Sequence, residues 1–261
     1  MLSARSSPVV ALLLCLPRRP VSARLPVRGG TRPATMAGDG MSTFAPRMAK
    51  NLSMETMDAS SAKWITLKKI QYLDPKGSQR VWESAERLTR PANSETDAVG
   101  VVAVLRDPDS PTDSGPRLLL QKQFRPALGK VTIESPSGLV DEGETPAEAA
   151  IRELREETGY VGTIPADAAA AEGFVMWNDP GFCNTNTKMI FVDVDLSDPR
   201  NRDPKPELEE GEFIESFTLP LDGLWRELTR LDGEGYAIDA RVGGLAQGIE
   251  MAKQWRDALG R

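Results

Sequence analysis

The chain has 261 residues, 40% of them hydrophobic and 27% charged, which suits one large or two small globular domains. It contains no histidine, so Ser-His-Asp catalysis, Cys-His catalysis and histidine metal sites are excluded. Carboxylates must then supply both the base and the metal ligands of any active site. The two cysteines, Cys15 and Cys183, are too few for a disulfide framework.

The net charge of −6 is unevenly distributed along the chain. Residues 1–38 contain six arginines and no acidic residue, which leaves −12 for the rest of the sequence. The body of the protein is therefore acidic, and we expect no nucleic-acid partner.

The segment 1–38 is rich in Arg, Ser and Pro, a composition that resembles a mitochondrial transit peptide. Two alternatives remain open. The apolar stretch 9–16 and the cleavable sequence 21–23 resemble a secretory signal, although two arginines directly after the stretch count against it. Initiation at Met36 or Met41 would instead give a cytosolic form. Eight apolar residues cannot span a bilayer, so we expect a mitochondrial or cytoplasmic protein (nuclear by diffusion) without a membrane partner.

Three regions follow one another in the predicted organisation. Residues 1–60 are expected to be a disordered extension that serves as a targeting segment. Residues 61–97 are predicted to form an N-terminal hairpin arm, with strands around a Pro-Lys-Gly turn at 75–77 and a linker at 91–97. Residues 98–261 are predicted to form the main domain.

Within the main domain, strands are predicted at 98–106, 117–125, 131–135, 173–177, 188–196 and 212–219. Helices are predicted at 146–158, 221–231 and 238–259. Strands interleaved with helices predict an α/β fold in which a mixed sheet lies between helical layers.

One stretch, residues 138–160, is far more specific than the rest: GLVDEGETPAEAAIRELREETGY. Thr145, followed by Pro146 and three residues later by Glu148, forms a capping-box pattern that predicts a helix start. Gly159 stands where a helix ends in a left-handed residue. A short helix over 146–158, delivered by a glycine-containing loop, is therefore predicted.

Three glutamates cluster on that helix. Glu153 and Glu157 are four residues apart and share a face, and Glu156 lies beside them. Their charges repel, so the cluster is either a solvated acidic face or a site for a hard cation such as Mg²⁺ or Mn²⁺. Arg152 can pair with Glu156 on the helix or reach back to Glu144 in the loop.

The spacing Gly-x5-Glu-x7-Arg-Glu-U-x-Glu-Glu-x-Gly-U, with U a bulky apolar residue or here a tyrosine, resembles the complete Nudix box. Gly138, Glu144, Arg152 and Gly159 match its structural positions, and the resemblance favours metal binding by the glutamates and bracing of Glu144 by Arg152. It extends from about Trp64 to Lys253. It points to the branch of ADP-ribose and other ADP-sugar pyrophosphatases, through WES at 82–84, LLLQKQFRP at 118–126, DPGFCN at 179–184 and GEF at 211–213.

This resemblance implies an α/β/α sandwich with a mixed sheet and an N-terminal β-hairpin arm, in a homodimer whose active sites combine residues of both chains. On the substrate side it implies that Trp64 and Trp82 sandwich adenine and that Arg125 holds the diphosphate. Other implied substrate contacts come from Glu83, Arg87 and Leu139. Since Glu83 and Arg87 are four residues apart, a plain surface ion pair is the alternative reading.

For the reaction, the resemblance implies two or three Mg²⁺ ions, or Mn²⁺, held by Glu153, Glu156, Glu157 and the carbonyl of Ser137. Glu212 would support the attacking water, although Glu209 and Glu210 lie close to it in the sequence. The implied reaction is hydrolysis of ADP-ribose to AMP and ribose 5-phosphate. The alternatives are hydrolysis of another nucleoside diphosphate derivative and non-catalytic binding of ADP-ribose.

Overall fold

The computed structural model describes residues 45–92, 94–108, 115–166 and 173–258. The basic segment 1–38 and its predicted targeting role lie outside these residues. No helix in the described ranges is both long enough and apolar enough to cross a membrane.

The N-terminal arm is a two-stranded antiparallel hairpin of β1 (Ile65–Leu73) and β2 (Gln79–Arg87). Its turn is closed by Asp74, whose carboxylate accepts hydrogen bonds from the backbone N–H groups of Lys76 and Ser78. The predicted hairpin around the Pro-Lys-Gly turn is therefore present. Several of its apolar side chains are exposed, and two-stranded hairpins alone are only marginally stable.

The main sheet is mixed. Its strands are β3 (Ala98–Arg106), β4 (Arg117–Arg125), β5 (Lys130–Glu134), β6 (Ser137–Leu139), β7 (Val175–Trp177), β8 (Asn186–Asp195), β9 (Ile214–Pro220) and β10 (Ala237–Ile238). The order along the sheet is β10-β5-β4-β3-β8-β7, while β6 pairs with β3 and β9 pairs with β4. Strands β3 and β8 run parallel, as do β5 and β10, and the other pairs are antiparallel.

Helices cover both faces of this sheet. Helix α1 (Pro146–Thr158) packs on one face through Ala149, Ala150 and Leu154. Helices α2 (Leu224–Gly233) and α3 (Ala240–Ala258) pack on the other. Strand β4 shows the alternation directly, because Leu119 faces α1 whereas its neighbours on the strand face α2 and α3. The predicted α/β/α sandwich is confirmed.

Some element boundaries differ from the prediction. Strands β6 and β10 were not predicted, because strands of three and two residues carry no readable periodicity. Residues 45–60, expected to be disordered, contain short 3₁₀ turns at Pro46–Met48 and Ala59–Ser61. Asn51 also donates a hydrogen bond to the Pro126 carbonyl at 2.9 Å, so this segment is attached to the main domain.

Candidate active site

The residues from which helix α1 was predicted cap it at both ends. The Thr145 side chain accepts a hydrogen bond from the Glu148 backbone, and the Glu148 carboxylate accepts one from the Thr145 backbone. Gly159 ends the helix at φ +76°, where a Cβ would overlap the backbone of Lys205. Both the left-handed conformation and the close approach of another chain segment therefore require glycine.

Arg152 is the hub that joins this helix to the preceding loop. Its guanidinium donates two hydrogen bonds to Glu144, both at 2.8 Å, and one to the Leu139 carbonyl at 3.0 Å. It also contacts Glu153 at 2.7 Å and Glu156 at 3.1 Å. Both pairings left open by the sequence are thus present, and the bidentate one braces the loop.

Glu153 lies against β6, directly over Gly138. A Cβ at position 138 would overlap the Glu153 carboxylate, so glycine leaves the space that this side chain fills. Burial raises the pKa of Glu153, Arg152 lowers it, and the negative charges of Glu156 and Glu212 raise it further. This carboxylate is held close to other acids in a partly desolvated position.

Glu157 is only 4% exposed. One oxygen, Oε2, accepts a hydrogen bond from the Ser137 backbone N–H at 2.8 Å, and Oε1 accepts one from the Gln121 amide at 3.3 Å. Burial raises the pKa of Glu157 to about 8, and repulsion from Glu153 and Glu212 adds to this against the two hydrogen bonds. A buried carboxylate facing two others favours a cation at this position.

Glu212 is brought to the same region by the loop after β8. That loop is tied to the end of α1, because the Asn201 side chain bonds the Val161 backbone at 2.8 and 2.9 Å and the Glu207 N–H bonds the Glu156 carbonyl at 2.7 Å. Glu212 acts electrostatically on both Glu153 and Glu157.

These residues fit a divalent cation in donor chemistry, since hard carboxylate oxygens are what Mg²⁺ and Mn²⁺ prefer. Among the described residues, no three such groups are already gathered around one point. Arg152 holds Glu153 and Glu156, while Ser137 and Gln121 hold Glu157. Ion binding would therefore require Glu153 and Glu156 to turn away from Arg152, while Glu157 can keep its two hydrogen bonds.

Comparison with known proteins shows the family of the chain. Residues 96–238 match the sequence family described as the NUDIX domain. The chain belongs to the Nudix family. Members of this family generally use divalent metal ions.

Several relatives of the Nudix family align over most of this chain. An uncharacterized Nudix hydrolase of Schizosaccharomyces pombe is 46% identical over 77% of this chain and 92% of its own length. The ADP-ribose pyrophosphatase of Saccharomyces cerevisiae is 46% identical over 76% of this chain and 82% of its own. The ADP-sugar pyrophosphatase of Mus musculus is 40% identical over 70% and 80%, respectively.

Arg125, expected to hold the diphosphate, lies at the end of β4 in this Nudix protein. Its guanidinium donates to both oxygens of the buried Glu134 at 2.8 and 2.6 Å, yet its side chain remains 42% exposed. Arginine has five N–H donors, of which Glu134 receives two. Glu134 therefore orients Arg125 and leaves further donors for an anion.

The two tryptophans expected to sandwich adenine lie far apart within one chain. The Leu88 N–H donates to the Trp64 carbonyl, so Trp64 lies opposite Leu88, six residues along β2 from Trp82. At about 3.4 Å per residue this separates them by roughly 20 Å. Their side chains are 71% and 48% exposed, on the same face of the hairpin. A single hairpin cannot place both on one base.

Glu83 and Arg87 lie on β2, on the opposite face from Trp82. Four residues along a strand span about 13 Å, so the alternative of a close i,i+4 surface pair does not hold. That alternative would require helical geometry.

The loop 179–184 supports the arm. The Trp82 indole N–H donates to the Gly181 carbonyl at 3.2 Å, and the Ala85 N–H donates to the Phe182 carbonyl at 3.0 Å. Cys183 follows, with its sulfur 3.1 Å from the Thr185 hydroxyl oxygen. The arm is thus attached to the main domain next to Trp82.

Two polar residues of the site, Gln121 and Glu134, were missed by the sequence analysis. Both are almost completely buried and face each other across β4 and β5. The only available signal was a polar residue directly after apolar ones, Gln121 after three leucines and Glu134 after Ile133. Their position beneath α1 follows only from the sheet register.

Proposed function

We propose that this Nudix protein hydrolyses the diphosphate of ADP-ribose, giving AMP and ribose 5-phosphate, with related ADP-sugars as further substrates. The observation that carries the proposal is the geometry of the box helix, where Glu153 fills the space left by Gly138 and the buried Glu157 is held by hydrogen bonds from Ser137 and Gln121. The names of the yeast and mouse relatives support the choice of substrate. Non-catalytic binding is disfavoured because all the box carboxylates are present.

Glu153, Glu156, Glu157 and the Ser137 carbonyl would hold two or three Mg²⁺ ions, or Mn²⁺. Such ions neutralise a diphosphate and lower the pKa of a bound water. In the proposed reaction the water oxygen attacks one phosphorus, the bridging P–O bond breaks, and Glu212 accepts the proton. Arg125, oriented by Glu134, would stabilise negative charge on the phosphates.

The recognition of adenine is proposed to need two copies of the chain. A sandwich made by Trp64 and Trp82 requires that they come from different chains, since one hairpin separates them by roughly 20 Å. The exposed apolar side chains of the arm, including Leu67 at 65% and Leu73 at 70%, support burial against a second copy. The proposed assembly is thus a homodimer with composite sites.

The test is a panel of nucleoside diphosphate derivatives assayed with Mg²⁺ and separately with Mn²⁺. We expect AMP and ribose 5-phosphate from ADP-ribose, with the highest kcat/KM in the panel or equal to that of another ADP-sugar. A higher kcat/KM for a derivative without adenine would refute the proposed substrate. ADP-ribose binding without product in either metal would refute the proposed hydrolysis.

A further inference from the structure

Gln121 is a fully buried amide in the middle of strand β4. It follows Leu118, Leu119 and Leu120 on β4 and is 0% exposed. It lies on the same face as Leu119, beneath α1. Burying an amide costs free energy unless the amide makes hydrogen bonds, so Gln121 should have a hydrogen-bond partner in the core.

The partner is Glu157. The Gln121 amide donates to Oε1 of that carboxylate at 3.3 Å, and the Ser137 backbone N–H donates to Oε2 at 2.8 Å. The other end of the amide, its oxygen, has no hydrogen-bond partner in the described part of the chain. Gln121 is therefore bound through its NH₂ group to one of the box glutamates.

The two donors come from different strands, β4 and β6, and together they reach both oxygens of one carboxylate. Each carboxylate oxygen has two lone pairs, so a single N–H on each leaves one free for a cation. Glu157 also experiences repulsion from Glu153 and Glu212, which would otherwise push its side chain away from them. Two donors, one to each oxygen, oppose that displacement.

We propose that Gln121 is a positioning residue for Glu157, setting the plane of the carboxylate so that it is ready to bind the divalent ion. The inference rests on the proposed function, because it treats Glu157 as an ion ligand. Groups that hydrogen-bond a metal ligand typically change metal affinity or activity by 10–100-fold when removed.

The experiment compares Gln121→Met with Leu119→Met. Methionine has nearly the length of glutamine but no N–H, so the first change removes the hydrogen bond without leaving a large cavity. The second places methionine on the same strand and face, in the purely apolar part of the core. Mn²⁺ affinity is measured on the full chain by electron paramagnetic resonance, alongside kcat and KM for ADP-ribose.

We expect Gln121→Met to weaken Mn²⁺ binding by about tenfold or more and to lower kcat at fixed metal, with little change in KM. Raising the Mn²⁺ concentration should recover part of the lost kcat. Leu119→Met should bind Mn²⁺ within about twofold of the parent, since isosteric core changes are well tolerated. Melting without metal checks that both variants fold, and Gln121→Leu replaces Gln121→Met if the latter does not.

Equal Mn²⁺ affinity in the glutamine variant and the leucine control would overturn the positioning role. The parent protein separates this outcome from a failure of the proposed function. A parent that binds Mn²⁺ but leaves ADP-ribose intact would refute the function while the affinity comparison still decides the role of Gln121. A parent that does not bind Mn²⁺ would refute both.

Discussion

Glu157 is deeply buried and lies near other negative charges. In the metal-free protein, ionisation of this carboxyl should therefore lower the free energy of unfolding. Burial raises its pKa to about 8, above the 4.5 of an unperturbed glutamate. The folded chain therefore holds the proton more tightly than the unfolded chain. The contribution of Glu157 to stability is therefore complete below about pH 4.5 and is lost as the pH rises through the folded pKa.

We predict that Glu157→Gln lowers kcat by at least about 10²-fold in the presence of Mg²⁺, because a charged ligand is lost. In the metal-free protein the same change should raise the melting temperature at pH 8 and raise it much less at pH 5. Thermal melts with a chelator at both pH values measure this. Glu250→Gln on α3, on the opposite side of the sheet, is the control for the change in charge.

A kcat for Glu157→Gln within threefold of the parent would remove Glu157 from the set of metal ligands. An identical pH dependence of melting in parent and variant would show that this carboxyl is not the group that titrates.

Gly138 provides a second residue-scale prediction. Its missing Cβ is the space occupied by the Glu153 carboxylate, so Gly138→Ala must displace that side chain. We expect a loss in kcat of about tenfold or more because a proposed metal ligand moves. Gly248→Ala is the matched control, since a Cβ there meets nothing within 4 Å. Equal activity of the two variants would show that Glu153 can move without consequence.

At the scale of the elements, the sequence predicted the helices and strands whose ends are set by nearby residues. Helix α1 was predicted with the bounds it has, because Thr145, Glu148 and Gly159 act within a few residues of its ends. Helix α2 begins three residues later than predicted, at Leu224, after Gly223 in a left-handed conformation. The short β6 depends on pairing with β3, which no local pattern of three residues reveals.

In the site, too, contacts within one element could be predicted and contacts between distant segments could not. The glutamates of α1 could be predicted because one helix places them together. The contact of Gln121 with Glu157 joins residues 36 positions apart and depends on how β4 packs under the helix. The separation of Trp64 from Trp82 likewise needed the register of the hairpin. Sequence spacing alone cannot supply either relation.

The segment 1–38 allows a prediction independent of the fold. Fused to a fluorescent reporter, it should direct the reporter to mitochondria, because its charge comes from six arginines without any acid. Replacing those arginines by glutamines should leave the reporter diffuse in the cytosol. A diffuse reporter with the native segment would contradict a targeting role, and a secreted one would favour the signal-peptide alternative.

At the scale of the whole molecule, the arm exposes apolar surface that a second copy could bury. If Trp64 and Trp82 then stack on adenine, Trp64→Ala and Trp82→Ala should each raise KM for ADP-ribose about tenfold or more, because stacking on an aromatic ring is worth about 1–3 kcal/mol. The change in kcat should be smaller, since the base lies away from the bond that breaks. Unchanged KM in both variants would remove the tryptophans from the substrate site.

Hybrid dimers decide which chain supplies each tryptophan. If the sandwich needs two chains, only one of the tryptophans belongs to the same chain as the Glu157 of its site. Each alanine variant is co-expressed with Glu157→Gln under a different affinity tag, and the hybrid is isolated through both tags. For one of the tryptophans, the tryptophan and the Glu157 of a given site come from different chains. The hybrid made with the alanine variant of that tryptophan keeps one intact site and should show about half the parent kcat/KM.

The other hybrid has one site without the tryptophan and one without Glu157, so its kcat/KM should fall to about a few per cent of the parent, because KM rises about tenfold at the one site that keeps Glu157. Recovery in one pairing and not in the other is therefore the signature of a composite site. Equal kcat/KM in the two hybrids would mean that both tryptophans of a site come from the same chain as each other. The roughly 20 Å between them on one hairpin would then exclude the adenine sandwich itself.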